Sequence, residues 1–144
     1  MRTRTMFIAV LCLSLSACQT FGHIQFLLPD AQRSRLVEAL GQLASSAGLA
    51  DRREQSLIPD TIVYFAEGEQ SFTEIGARMH EGKVVVDLLF RSAGVGGDLY
   101  RQLKPKLTDE LRMIYGNDLV IVEDPVRMVP LSPPNTSLER TRDR

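Results

Sequence analysis

The sequence predicts an α+β fold: a two-layer sandwich in which two helices pack on one face of a mixed sheet. One set of short segments is rich in alternating or β-branched apolar residues, as strands are. Two longer segments carry apolar residues at helical spacing. Turns that contain glycine or proline separate these segments in the order strand, helix, three strands, helix, strand.

The first strand and the first helix lie between residues 22 and 48. Apolar residues stand at every second position of the strand, which is expected to begin near Gly22. These residues are Ile24, Phe26 and Leu28. Asp30 is the predicted N-cap of the helix that follows, and Gly48 is expected to end it in the left-handed conformation. The apolar stripe of the helix is formed by Leu36, Leu40, Leu43 and Ala47.

Three consecutive strands are predicted between residues 61 and 93. The first, residues 61–66, is β-branched and aromatic, which indicates burial on both faces. The other two form a hairpin around Glu81-Gly82, and its register pairs apolar residues on one face. The expected pairs are Met79–Val84, Ala77–Val86, Ile75–Leu88 and Thr73–Phe90.

The opposite face of this hairpin carries polar and charged residues. They are His80, Arg78, Glu74, Lys83, Asp87 and Arg91. Arg78 lies diagonal to Asp87, and Glu74 lies diagonal to Arg91, so each pair is within reach across the two strands. A shift of one residue would mix the two faces, and the register is therefore well specified.

A glycine-rich link leads into the second helix, with Asp98 as its expected N-cap. The apolar stripe of this helix is formed by Leu99, Leu103, Leu107, Leu111 and Ile114. Pro105 lies roughly opposite the stripe, so one kinked helix is expected rather than two. Residues 118–124 predict a final buried strand, and the proline-rich segment 125–144 is expected to be a disordered tail. The single α+β domain is therefore expected to span residues 22–124.

The connections between these elements predict the topology. Right-handed crossovers through the two helices would bring the first and last strands near the middle of a mixed sheet. The order β-α-β-β-β-α-β resembles a ferredoxin-like split βαβ unit with one added strand.

The first 17 residues are organised like a secretory signal peptide. Two arginines precede the apolar run 6–17, which is shorter than the roughly 20 residues that a membrane-spanning helix needs. A buried N-terminal helix is the less favoured alternative, because the run has no polar face. Ser14 and Ser16 leave cleavage by the ordinary signal peptidase open as a further alternative.

The stretch Leu15-Ser16-Ala17-Cys18 resembles the lipobox of bacterial lipoproteins. The resemblance covers residues 1–18 alone, and it implies cleavage after Ala17 and a diacylglyceryl group on the Cys18 thiol. The new amino group is then usually acylated as well, and two or three acyl chains hold a protein stably at a membrane. Residues 18–21 would be a short tether for a periplasm-facing domain, and Gln19 favours the outer over the inner membrane.

Removal of residues 1–17 leaves 127 residues, enough for one domain with its own core. These include 15 basic and 18 acidic residues, and the net charge of −3 does not favour binding to nucleic acid. Cys12 leaves with the signal peptide and Cys18 takes the lipid. The mature domain therefore has no thiol for catalysis or for a disulfide.

The mature sequence carries no catalytic or metal-binding pattern. Serine catalysis needs a base, and the two histidines, His23 and His80, occur without a G-x-S-x-G motif. We expect His23 near the lipid headgroups and His80 in solvent beside the hairpin turn. No zinc ligand set and no calcium loop occurs. The glycines before Asp98 lack the lysine and serine of a phosphate-binding loop, so no metal and no cofactor are expected.

These observations favour a non-enzymatic lipoprotein of the cell envelope that binds a protein partner. An immunity-type lipoprotein that neutralises a toxin is one alternative, and a small hydrolase or ligand-binding enzyme with a pocket near Gly94–Asp98 is another. The candidate contact face consists of Glu74, Arg78, Asp87 and Arg91. The competing interpretation is a solvated face whose charges pair with each other.

Overall fold

The computed structural model describes residues 18–67, 71–93 and 97–130. The predicted signal peptide with its cleavage site at Ala17, the glycines Gly94 and Gly96, and the tail beyond residue 130 lie outside the described residues. Within these ranges two α-helices and six strands follow each other along the chain. They are β1 (Cys18–Pro29), α1 (Arg33–Ser46), β2 (Ala50–Asp51), β3 (Thr61–Ala66), β4 (Ser71–His80), β5 (Lys83–Ala93), α2 (Asp98–Tyr115) and β6 (Val120–Pro130).

The six strands form one sheet in the order β2-β3-β4-β5-β1-β6, and every neighbouring pair is antiparallel. The α+β class with two helices is confirmed. The predicted mixed sheet is wrong, and the strand order differs from the ferredoxin-like arrangement that the sequence led us to expect. β1 does lie inside the sheet, between β5 and β6, but β6 is an edge strand.

The short strand β2 accounts for this difference. The antiparallel pairings make β1 and β2 run in the same direction, and likewise β5 and β6. Each helix therefore connects two strands of equal direction, as a crossover helix does. Because the β2–β3 hairpin adds one reversal, β3, β4, β5 and β6 all run opposite to the predicted directions. Two residues thus convert a mixed sheet into an antiparallel one.

The β4–β5 hairpin has the predicted register. Met79 lies opposite Val84, and the three further apolar pairs follow as expected up to Thr73 opposite Phe90. Glu81 and Gly82 both have positive φ, at 49° and 74°, as the central residues of the tight turns that favour hairpins do. This agreement shows that alternation and turn chemistry specify the hairpin locally.

A single apolar core lies between the helices and one face of the sheet. Leu36 and Leu40 of α1 and Leu107 and Leu111 of α2 are at most 1% exposed. The sheet contributes Ile24, Phe26, Ile75, Val86, Leu88 and Phe90, among others. Burial of each such side chain stabilises the fold by about 1.5–3 kcal/mol relative to exposure. None of the helices in the described part of the chain is long and apolar enough to span a bilayer.

The beginnings of both helices differ from the predicted caps. Gln32, in the left-handed conformation, is the N-cap of α1, while Asp30 accepts hydrogen bonds from the Arg33 guanidinium. Gly97 is the N-cap of α2, so Asp98 is instead its first residue. The predicted end of α1 is confirmed, because Gly48 has a φ of 73° and the Leu49 N–H donates to the Ala44 carbonyl.

Two predicted features of the second half also change. α2 is one helix, with Pro105 on its exposed side. β6 was expected to be buried, but as an edge strand it leaves Val120 and Val122 about half exposed, at 54% and 49%. It continues to Pro130, so the predicted domain end at residue 124 falls within the strand. The register of the β1–β6 pairing shifts between Phe21 and His23, where residues 125 and 126 of β6 lie opposite Gly22. Pro125 thus falls in an irregular part of an edge strand, where a proline is tolerated.

Candidate functional site

The face of the sheet turned away from the helices, here called the open face, brings together the polar residues of the hairpin. It consists of the odd-numbered residues of β1 and β5 and the even-numbered residues of β4, together with Tyr64 of β3 and Val120 and Val122 of β6. One row across its centre runs Tyr64, Gly76, Asp87, Gln25, Val122. All four predicted contact residues lie on this face.

Asp87 is the centre of the first polar cluster. Its Oδ1 accepts a hydrogen bond from Gln25 Nε2 at 2.9 Å and lies 2.8 Å from His23 Nε2. Its Oδ2 lies 3.5 Å from Arg78 Nε, so the predicted diagonal pair is present. The Asp87 and Arg78 side chains are 22% and 25% exposed, which means that this cluster is partly desolvated. Three strands are therefore joined through one carboxylate.

Glu74 is the centre of the second cluster. Arg91 Nη2 lies 3.5 Å from Glu74 Oε1, which is the second predicted diagonal pair, and Tyr64 hydrogen-bonds to the same carboxylate. Burial raises the pKa of Tyr64 to about 12, and the negative charge and hydrogen bond of Glu74 add to this effect. Arg91 and Arg52 act in the opposite direction. Tyr64 is thus a neutral phenol at any physiological pH.

A hollow of about 410 Å³ lies beside these two clusters, between the open face and the segment 56–61 that leads into β3. Its polar lining includes His23, Tyr64, Glu74, Arg78 and Asp87, and its apolar lining includes Ile58 and Leu89. The volume lies within the range of small-molecule sites, and such sites combine apolar walls with a few polar groups in this way.

Local hydrogen bonds hold the rim of the hollow in shape. Ser56 Oγ lies 2.9 Å from Thr61 Oγ1, and the Thr61 hydroxyl donates to the Ile58 carbonyl at 2.7 Å. Ser56 Oγ also accepts from the Ile58 N–H at 3.3 Å. The segment is thereby closed on itself, and Ile58 remains 51% exposed at the entrance.

Gly76 opens the floor of the hollow. A Cβ atom built at this position would lie 3.8 Å from Tyr64 Cδ2 and 4.0 Å from the Val63 carbonyl oxygen, both ordinary contacts. Packing alone therefore does not require glycine here. A glycine inside a strand weakens the strand and often marks a place where a ligand or another chain approaches closely.

The described part of the Gly94–Asp98 link, Gly97 and Asp98, does not have the features of a phosphate-binding loop. A Cβ atom at Gly97 would lie 2.9 Å from Phe90 Cε1, and the φ of Gly97 is 99°. Close packing on the Phe90 ring thus explains this glycine. Asp98 forms an ion pair with Arg101 in the first turn of α2.

Sequence reasoning missed His23, Gln25, Tyr64 and Gly76. The alternation of β1 already placed His23 and Gln25 opposite the apolar Ile24 and Phe26, but no local signal showed that β1 would pair with β5. His23 was expected near lipid headgroups, whereas it contacts Asp87 on the open face. Across the described ranges no three His, Cys, Asp or Glu side chains converge as a metal site.

Sequence comparisons with known proteins give no match. No protein-family model matches this chain, and no curated protein matches it in sequence. Functional inference therefore depends on the resemblance of residues 15–18 to a lipobox and on the geometry of the open face.

Proposed function

We propose that this protein is a small lipoprotein of the bacterial cell envelope, anchored through acyl chains on Cys18, and that its domain is a non-enzymatic module that binds a protein partner. The observation that carries the proposal is the open face. It combines exposed valines at its edge with partly desolvated charge clusters, and neither helix covers it. Apolar patches rimmed by polar groups are typical of interaction sites.

The position of the anchor supports this proposal. Residues 18–21, predicted as a tether, belong to β1, so Cys18 stands at the end of a strand. His23 is five residues further along, or about 17 Å at about 3.3 Å per residue. An acylated Cys18 would therefore hold the polar clusters close above the membrane surface, on the periplasmic side, and Gln19 favours the outer membrane.

The arrangement of the polar groups favours binding over catalysis. His23 directs Nε2 toward Asp87, and the Ser56 hydroxyl at the rim is engaged with Thr61 and Ile58. In a serine hydrolase the nucleophile's hydroxyl bonds to the second ring nitrogen of the histidine, whereas the Ser56 hydroxyl bonds to Thr61.

The lipid anchor is tested on the full-length protein. Wild type and Cys18→Ser are expressed in a Gram-negative host and separated into membrane and soluble fractions. We expect wild type in the membrane fraction with an acylated N-terminal Cys18 peptide by mass spectrometry, and Cys18→Ser in the soluble fraction. An unmodified Cys18, or a Cys18→Ser variant that still sediments with membranes, overturns the anchor.

The contact face is tested by photo-crosslinking in intact envelopes. A photoreactive amino acid replaces Val122 on the open face or, as a control, Ser45, which is exposed on α1. We expect one discrete adduct from position 122 and none from position 45. The yield should fall in an Arg91→Asp background and stay unchanged with Arg35→Asp, which reverses an exposed charge on α1. Equal adducts at both positions, or none at 122, overturn the proposal. An adduct with a toxin would identify the immunity-type role.

A further inference from the structure

We infer that the hollow above Gly76 is a binding site for a small amphipathic acid, with the apolar body of the ligand on Gly76 and its carboxylate on the outer nitrogens of Arg78. This site shares Glu74, Arg78 and Asp87 with the partner surface proposed above, but its test measures ligand binding alone and does not require a partner. Three properties of the described residues lead to it: the shape of the floor, the apolar walls, and the hydrogen-bonding capacity of the polar groups.

The shape points to an inserted apolar group. The hollow measures about 410 Å³, and its floor lacks a side chain at Gly76 although a Cβ atom would fit there without strain. Leu89 contributes an apolar wall, and Ile58 stands at the entrance. Removing apolar ligand surface from water against these residues supplies the favourable free energy of binding.

The polar groups determine the charge of the ligand. Asp87 Oδ1 already has two partners and Oδ2 lies near Arg78, while Glu74 is engaged by Arg91 and Tyr64. Both carboxylates of the hollow therefore already have hydrogen-bonding or charged partners, so a cationic ligand would gain little by binding to them.

Arg78 retains donor capacity. Its Nε lies near Asp87, and within the described residues its two outer nitrogens have no hydrogen-bond partner. The Arg78 side chain is 25% exposed and lines the hollow, and a guanidinium can bind a carboxylate through two parallel hydrogen bonds. A carboxylate on these outer nitrogens would accept charge-assisted hydrogen bonds, and a neutral acceptor would bind in the same place but less tightly.

The experiment uses the mature lipidated protein in lipid nanodiscs, with isotope labels in the isoleucine and leucine methyl groups. The probes share one apolar body: 3-phenylpropionate, its uncharged amide, and 3-phenylpropylamine. We expect 3-phenylpropionate to shift the methyl signals of Ile58 and Leu89 in a saturable manner. The amide and the amine should bind about tenfold more weakly, because a charged acceptor strengthens a hydrogen bond by about this factor.

Two variants assign the site. Gly76→Leu fills the floor and should abolish the shifts, and the smaller Gly76→Ala should weaken binding if the leucine variant does not fold. Arg78→Met keeps the apolar stem and should equalise the affinities for acid and amide. Arg35→Met, an exposed arginine on α1, is the matched control and should change nothing. Unchanged shifts in the folded Gly76 variants, or amine binding as tight as acid binding, overturn the inference.

Discussion

Replacing Asp87 with alanine tests whether the open face is held together by one carboxylate. The Asp87 side chain accepts from Gln25, contacts His23, and lies 3.5 Å from Arg78. Its truncation removes the common partner of three side chains from two neighbouring strands and leaves each of them partly buried. The variant changes no residue of the apolar core, so any loss of stability comes from the polar cluster.

The expected loss follows from these contacts. A hydrogen bond to a charged acceptor contributes about 1.5–3 kcal/mol, and the Gln25 bond is of this kind. The longer contact with Arg78 contributes about 0.5 kcal/mol, because a partly solvated pair is screened. Water reaches the site, since Asp87 is 22% exposed, and it replaces part of what is lost. We therefore expect a decrease of about 2–3 kcal/mol in the free energy of unfolding, or about 8–12 °C in Tm.

Thermal unfolding followed by circular dichroism measures this decrease on the mature protein. Asp87→Asn keeps an acceptor for Gln25 and should lose about half as much. Glu81→Ala, whose side chain is 87% exposed in the hairpin turn, is the control and should stay within about 0.5 kcal/mol of wild type. A Tm of Asp87→Ala equal to that of Glu81→Ala would refute the reasoning, because the cluster would then contribute nothing to the fold.

Three further predictions concern the core, the start of α2 and the half-buried Tyr64 phenol. Leu107→Ala should lower the free energy of unfolding by about 3 kcal/mol in urea titrations, since Leu107 is 0% exposed, whereas Met113→Ala on the exposed side of α2 should change it little. Gly97→Ala should cost about 2–3 kcal/mol by the same assay, because its φ of 99° disfavours a side chain and a Cβ would press on the Phe90 ring. Ultraviolet titration should show that Tyr64 ionises near pH 12. Because its pKa is raised on folding, Tyr64 contributes stability below pH 10, and this contribution is lost as the pH rises toward 12. Tyr64→Phe should therefore lose less stability than wild type between pH 10 and 12.

Local patterns predicted the parts of the fold that are local in origin. The β4–β5 hairpin combines strict alternation with a two-residue turn, and its register could be derived without any other element. The apolar stripes of both helices and the left-handed conformation of Gly48 could likewise be predicted from neighbouring residues. In each case the residues that determine the structure are neighbours in the sequence.

The global topology could not be derived because it depends on β2. A strand of two residues shows no alternation, and its pairing with Phe65 and Ala66 becomes visible only when the chain has folded. Missing it reversed the directions of the four later strands. The exposed position of β6 was missed for a similar reason, since a run of valines and isoleucine looks the same at the edge of a sheet as at its centre.

The candidate site was predictable only in part. The pairs of Arg78 with Asp87 and of Glu74 with Arg91 follow from the hairpin register alone. His23, Gln25 and Tyr64 join them from strands that are distant in sequence, and the role of Gly76 depends on the space above it. A contact between distant strands has no signature in a single sequence.

The position of Cys18 at the start of β1 has a mechanical consequence. β1 pairs with β5 on one side and with β6 on the other over almost its whole length. A pull applied at Cys18 acts along the axis of this strand, so it loads two ladders of hydrogen bonds in shear at the same time instead of opening them one by one. An attachment at this point would let the domain bear tension between a membrane and a bound partner without unravelling from its tethered end.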